Sequence, residues 1–328
     1  MTPSLLFSLV LALQAASEAP TPARIRAAVE KSVPLLEESA AEYIVQRDCF
    51  SCHHQAMPVL ALATAKKRGF KVDAAGFEKQ VGHTAAFLTK NREQFEKGNG
   101  TGGQADTAGY ALLTLHAGGH KPDATTAAVA GYLLGKSKDR DYWPTSSQRP
   151  PSEASSFATT YLAVLGLHSY GSKEKQPDAD ARFEKARKWL LATKPKDTED
   201  RGFRLKALKL IGADVKEVTA ATAELAKMQR PDGGWSQLET MESDAYATGS
   251  ALAALHEAGG MPTKDPAYRR GLSYLLKTQH DDGSWHVKSR SKPFQAYFES
   301  GFPHGKDQWI SCAATSWAVV ALALAGER

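Results

Sequence analysis

Six times along its 328 residues the chain runs through a stretch that is apolar on nearly every side. QAMPVLALATAKKRG begins at Gln55, TAGYALLTLHAGG at Thr107, TTYLAVLGLHSYG at Thr159, GFRLKALKLIGA at Gly202, ATGSALAALHEAGG at Ala247 and TSWAVVALALAG at Thr315. A helix that is apolar all round must be buried all round. Most of these stretches end in Gly, which suits the left-handed residue that stops a helix. Between them the 3.6-residue spacing predicts amphipathic helices over 22–38, 75–91, 124–136, 179–193, 216–228 and 266–278. No segment shows a convincing period of two. Outer helices alternating with inner ones can stack as an open solenoid or close into a ring. Only closure buries all six inner helices. The pattern therefore predicts an all-α protein, an α6/α6 toroid filling residues 20–328.

Residues 1–19 read as a secretory signal peptide: 5–16 is a short apolar run, followed by small residues at Ala15, Ala16, Ser17 and Ala19. The run is shorter than the roughly 20 apolar residues a membrane helix needs, and no other segment looks apolar enough to span a bilayer. The expected location is outside the cytoplasm, periplasmic or secreted, where conditions are oxidising. Lys and Arg number 41 against 36 Asp and Glu, and the densest basic stretch, RFEKARKWLLATKPK, interleaves acids at helical period. That is a solvated outer face and argues against a nucleic-acid partner.

Two connectors, MQRPDGGW (228–235) and TQHDDGSW (278–285), resemble the Q-x-x-D-G-x-W repeat of terpenoid cyclases and protein prenyltransferases, and KSKDRDYW (136–143) is a degraded copy. In physical terms Asp-Gly makes the turn after an outer helix, Trp plugs between hairpins, and Gln can hold loop backbone. The resemblance implies the toroid and an apolar, isoprenoid-like small molecule, but fold does not carry activity with it. The D-x-D-D acid of squalene–hopene-type cyclases is missing. Asp307 and Cys312, in DQWISC, are spaced wrongly for the Asp-x-Cys zinc pair of prenyltransferases. Whether the protein is an enzyme stays open.

The chemistry concentrates in CFSCHHQAMP, residues 49–58. In a ring of outer–inner hairpins the inner helices run parallel, so their N-termini gather at one mouth. That mouth carries unpaired N–H groups and positive dipole ends, natural for polar or anionic chemistry. Cys49 to Gln55 opens the first inner helix; Asp106, Ser155, Asp244 and 308–312 open others. Closure brings Cys312 within reach of 49–54. The long connector 286–310, aromatic and carrying His304, leads to the same mouth and reads as a ligand-facing loop or a lid.

Four readings of the cluster compete. Cys49 to His53 is a complete C-x-x-C-H, similar over five residues to the attachment site of c-type cytochromes. Cys49 and Cys52 would hold haem c through thioethers, and His53 would be the proximal iron ligand. His304 is the distal candidate, with His83 and His286 behind it. A redox partner protein would follow. Alternatively, Cys49, Cys52 and Cys312 with His53 or His54 could give tetrahedral zinc. The segment CHHQAM also resembles the thioester segment of complement and macroglobulin toroids, with Cys52 and Gln55 as the condensing pair. The last reading is a structural disulfide. Without haem, a cyclase-like or lyase-like enzyme would use Asp244, Asp307 and His304 as acids or bases; a non-enzymatic binding or scaffold toroid is the remaining possibility. His116, His168 and His256 share one repeat position near inner-helix C-termini and read as structural.

Overall fold

The computed structural model describes residues 19–293 and 296–326; the predicted leader, but for Ala19, and Phe294 of the mouth connector lie outside them. Among the described residues there are thirteen α-helices. The first outer helix, α1, is Pro22–Gln46, and its inner partner α2 is Met57–Lys67, preceded by one π-helical turn at Cys52–Ala56. The second pair is α3 (Ala74–Lys90) and α5 (Gln104–Ala117), with a short α4 (Arg92–Glu96) between them. Next come α6 (Ala124–Gly135) with α7 (Ser156–Tyr170), and α8 (Gln176–Ala192) with α9 (Thr198–Leu210). The last two pairs are α10 (Val215–Lys227) with α11 (Ala245–Glu257), and α12 (Pro266–Thr278) with α13 (Gln308–Ala325).

The inner helices touch in the cyclic order α2, α5, α7, α9, α11, α13 and back to α2, so the ring is closed. They pack closely enough that small residues set the spacing: a Cβ built on Gly249 of α11 would sit 2.6 Å from the backbone carbon of Trp317 on α13. Two expectations change. The helix α1 runs eight residues past its predicted end, because Ala40 and Tyr43 keep its buried stripe going beyond Pro34. A two-residue hairpin, β1 (Trp235–Ser236) against β2 (Ser243–Asp244), occupies one connector where no strand was expected. In addition, the segment Gly305–Ala325 is long and apolar enough to cross a membrane, contrary to the sequence reading. It is 89% buried at the ring's centre, which accounts for its composition as core.

The tryptophan turns weld the ring. Trp143, Trp235 and Trp285 are all fully buried. Each indole N–H donates to a carbonyl ten residues back, on Leu133, Leu225 and Leu275, at 2.7, 2.9 and 2.9 Å. Each backbone N–H of the same residue is held by a threonine of the following inner helix: Thr160, Thr248 and Thr315. Gln229 donates to Gly233 O in its own turn and to Ala267 O on the next outer helix. Gln279 repeats this one step further round, to Gly283 O and to Ala28 O on α1, and so closes the circle. Gly283, at φ +93°, packs so near α1 that a Cβ would lie 2.6 Å from Lys31 O. Only glycine meets both demands. In the degraded third copy Arg182 replaces the glutamine, donating to Ser137 O and Arg140 O with its guanidinium 4.2 Å over the Trp143 ring.

Candidate functional site at the toroid mouth

The mouth, where the inner helices start, holds a cavity of about 840 Å³. Its floor is the Cys49–His53 segment, one wall is Phe87 with Phe50, and the opposite wall is Trp309 with Ile310. The long connector forms the outer rim through Lys292, Tyr297 and Lys306, and it is tied down rather than loose. Gln308 takes the Ser300 N–H at 2.8 Å and donates to Phe298 O at 2.7 Å, while Ser39 of α1 donates to Ser300 O at 3.2 Å. Phe298 sits edge-on to Trp309, with the Arg47 guanidinium 4.2 Å above its ring. The aromatic connector thus becomes a folded wall, and the inner helix begins at Gln308, inside the span expected to be loop.

Within CFSCHHQ each residue has a separate task. The Ser51 hydroxyl accepts from His54 N at 3.2 Å, and Gln55 Oε1 accepts from Ser51 N at 2.8 Å. Together they satisfy free N–H groups at the helix start. Cys52 is buried and its thiol donates to Glu153 Oε1 at 2.6 Å, with His53 Nδ1 at 3.0 Å from the same sulfur. His53 Nε2 is turned the other way, 2.9 Å from the Ser152 hydroxyl. Arg149 pairs with Glu153 Oε2 at 2.5 Å. Cys52, His53 and Glu153 offer three different donor atoms, all within 4.8 Å of one another.

Burial sets the protonation states. It pushes the Cys52 thiol well above its ordinary range, reinforced by the Glu153 charge. Glu153 is also raised, because burial outweighs the Arg149 guanidinium. Desolvation lowers His53 to about 4 and His54 to about 3, so both imidazoles are neutral at physiological pH.

The remaining candidates go elsewhere. Cys49 is exposed on the cavity, 3.2 Å from the Tyr43 hydroxyl. Cys312 does approach the first inner helix, as closure requires, but its thiol donates to His53 O at 3.4 Å. His54 is stacked on Trp309 at 5.0 Å, and neither ring nitrogen has a partner among the described residues. The four-ligand set Cys49, Cys52, His54 and Cys312 is therefore not gathered, because three of its members face other neighbours. All three cysteines are free thiols, and Gln55 and Cys52 are engaged with Ser51 and Glu153 rather than with each other. His304 stacks on His286 at 4.7 Å and contacts Ser284 at 2.7 Å, in a cluster beside the last tryptophan turn. Asp307 meets His286 at 2.8 Å and, of the three predicted acids and bases, is the one that lines the cavity. Asp244 caps α11 through Ala247 N at 2.9 Å, and burial lifts it to about 6 against the hydrogen bonds that favour its charged form. The sequence reading missed Glu153, Ser152 and Arg149. The available signal was an acid two residues before Ser155, in a connector already assigned to the mouth.

Comparison with known proteins agrees with this architecture. Residues 205–328 match the squalene-hopene cyclase C-terminal domain. Drimenyl diphosphate synthase of Streptomyces showdoensis is 28% identical over 195 residues, 53% of this chain and 34% of that enzyme, so the match spans about a third of the relative's length. Among solved structures, the type II terpene cyclase MstE from Scytonema, in complex with geranylgeranyl dihydroxybenzoate, superposes with a TM-score of 0.59 at 15% identity. The superposition covers 94% of this chain and 99% of that one. A possible member of the GH105 family from Salmonella enterica superposes with a TM-score of 0.56 at 12% identity, covering 93% and 94%. The fold is an all-α toroid like that of the type II terpene cyclase, and its C-terminal part, residues 205–328, is similar in sequence to the squalene-hopene cyclase C-terminal domain. At these identities the structural matches speak for fold alone, and the GH105 match illustrates how widely this ring is used.

Proposed function

We propose that this toroid is an enzyme that admits an isoprenoid-like apolar molecule to its mouth cavity and acts on it beside Cys52, His53 and Glu153. One observation carries the reading: an aromatic-walled cavity of about 840 Å³ has on its floor a polar trio, Cys52 and Glu153 buried and His53 half-buried. That volume lies within the range of small-molecule sites, which combine apolar walls with a few placed polar groups. Lys292 and Lys306 at the rim suit a ligand with an anionic head. Asp307 on the wall, oriented by His286, is the acid–base group with access to the ligand. Geranylgeranyl dihydroxybenzoate, the substrate bound to MstE, and the drimenyl diphosphate made by the Streptomyces relative are of this apolar, prenyl-bearing kind.

A second reading keeps haem. Its support is that Cys49, Cys52 and His53 all line the same cavity. Cys49 and Cys52 would hold the group as thioethers, with His53 as the protein ligand; when bound it would supply redox or ligand-binding chemistry. Export and a redox partner belong with this reading, because thioether attachment takes place outside the cytoplasm. The donor orientations favour a small ion over a macrocycle. His53 Nε2, the atom that reaches iron in such sites, is turned to Ser152, and the Cys52 thiol is turned to Glu153.

Two measurements separate the readings. Titration of the full chain with geranylgeranyl dihydroxybenzoate, followed by tryptophan fluorescence, should give saturable binding that weakens at least about tenfold in Trp309→Ala. Absence of saturation up to the solubility limit would remove the isoprenoid reading. Intact mass and absorption spectra of protein exported from a host with c-type cytochrome maturation then test haem. A haem-sized increment lost in Cys49→Ala/Cys52→Ala supports it, and an unmodified mass excludes it.

A further inference from the structure

We propose that Cys52 Sγ, His53 Nδ1 and Glu153 Oε1 form a three-ligand site for one zinc ion, with the fourth coordination position open to the mouth cavity. The inference rests on the mouth cavity being the working site and names its cofactor. The donors come from two distant parts of the chain, brought together because α2 and the connector before α7 face each other across the mouth.

Several independent features fit. The chemistry of the set, thiolate, imidazole and carboxylate, is that of zinc. The geometry is near what an ion needs. Zinc bonds of about 2.0–2.3 Å at tetrahedral angles place neighbouring donors roughly 3.3–3.7 Å apart. Here sulfur stands 2.6 Å from Glu153 Oε1 and 3.0 Å from His53 Nδ1. Each side chain would move back by less than about 1 Å, a rotamer adjustment. The outer contacts are those that orient metal ligands. Ser152 holds His53 Nε2 at 2.9 Å, which fixes the ring so that Nδ1 faces the sulfur. Arg149 holds Glu153 Oε2 at 2.5 Å and leaves Oε1 for the ion. Both supporting residues belong to the connector that supplies Glu153, so ligand and support form one unit.

The ligand count also bears on role. Structural zinc is closed by four protein ligands, whereas catalytic zinc keeps three and an exchangeable position. With Cys49 and Cys312 turned to other partners and the His54 ring stacked on Trp309, no fourth protein donor is gathered among the described residues. The open side faces the cavity, where the polar head of an isoprenoid-like ligand would meet it. Loading the ion releases the Cys52 thiol proton to solvent; no other bond changes.

The test is cobalt(II) titration of the full-length, chelator-treated protein, with zinc as competitor. The expected result is one cobalt per chain, a thiolate-to-cobalt charge-transfer band in the near ultraviolet, and displacement by zinc. Cys52→Ser should abolish the band. His53→Ala and Glu153→Gln should each weaken cobalt binding about 100-fold or more, and Ser152→Ala about tenfold. Cys49→Ser and Cys312→Ser should bind as the parent does. Glu153→Asp is the companion variant should Glu153→Gln lose its helical circular dichroism, and it should keep the band with altered affinity. No thiolate band in a protein of intact helical circular dichroism overturns the site, as does loss of the band in Cys49→Ser or Cys312→Ser. Covalent haem on Cys52 also overturns it, since a thioether cannot be the thiolate ligand. A protein that quenches with geranylgeranyl dihydroxybenzoate but takes no cobalt loses only the ion. One that takes cobalt but not the prenyl ligand loses only the substrate class.

Discussion

The two ends of the toroid are built from the same six hairpins, yet they differ in almost every other respect. At the far end inner helices run into outer ones through short connectors, four of the five of one kind. Gly69, Gly119, Gly212 and Gly260 stop four inner helices at φ +82°, +73°, +71° and +70°, and Asp73, Asp123 and Asp265 cap the helices that follow. The far-end hollow is about 450 Å³ and holds the Lys206 ammonium, 4.5 Å over Trp317 and 3.5 Å from Glu257. At the mouth the connectors are unlike one another and most are long; the exception is 193–197 between α8 and α9. One carries the Cys52–His53 pair, and three contain a tryptophan turn, of which one also carries Glu153 and another continues into the folded rim. The far end repeats a local solution, whereas the mouth combines distant segments. Local solutions tolerate substitution; convergent ones do not.

The largest contrast should come from the seam that closes the ring. Trp285→Ala removes a fully buried indole and its hydrogen bond to the Leu275 carbonyl. It should cost about 3–5 kcal/mol by urea denaturation. A loss under about 1 kcal/mol would mean that closure does not depend on this turn.

His54 probes the mouth from inside. It is fully buried with both ring nitrogens unpartnered among the described residues. His54→Phe keeps the stack on Trp309 and should raise stability by about 1–3 kcal/mol, the cost of a buried unsatisfied polar group. A loss of stability would show that His54 has a bonding partner in solution.

Asp244, at the mouth, should show itself in pH dependence. Its folded pKa, raised by burial to about 6, exceeds that of the unfolded chain. The folded state therefore binds its proton more tightly, and stability from this group is complete below about pH 4 and is lost as pH rises through 6. Asp244→Asn still offers a capping oxygen. It should match the parent at pH 4 and exceed it by about 3 kcal/mol at pH 7.5 in thermal unfolding. Equal stability at both values would remove the perturbed carboxyl.

The smallest effect belongs to the far end. A Cβ at Gly119 would meet nothing within 4 Å, so Gly119→Ala should cost only the left-handed backbone penalty, about 1 kcal/mol. A cost like that of Trp285→Ala would end the distinction between the two ends.

The sequence by itself determined the hairpins, because helix period, glycine stops and Asp-Gly-x-Trp turns are local signals. Five of six outer helices lie within about three residues of their predicted spans. It also determined the ring, since six helices apolar on every side leave no open arrangement that buries them. Even the approach of Cys312 to the first inner helix followed from closure. The partners of Cys52 and His53 were not legible. Glu153 stands 101 positions from Cys52, and its place two residues before Ser155 marks it only as a mouth residue, not as the partner of Cys52. The same holds for His54, whose sequence neighbours are metal-type residues but whose ring lies against Trp309. Spacing along the chain can suggest a C-x-x-C-H or a Cys₃His set. Which donors face one another is set by the direction each side chain takes at the mouth, and that depended on how distant connectors packed.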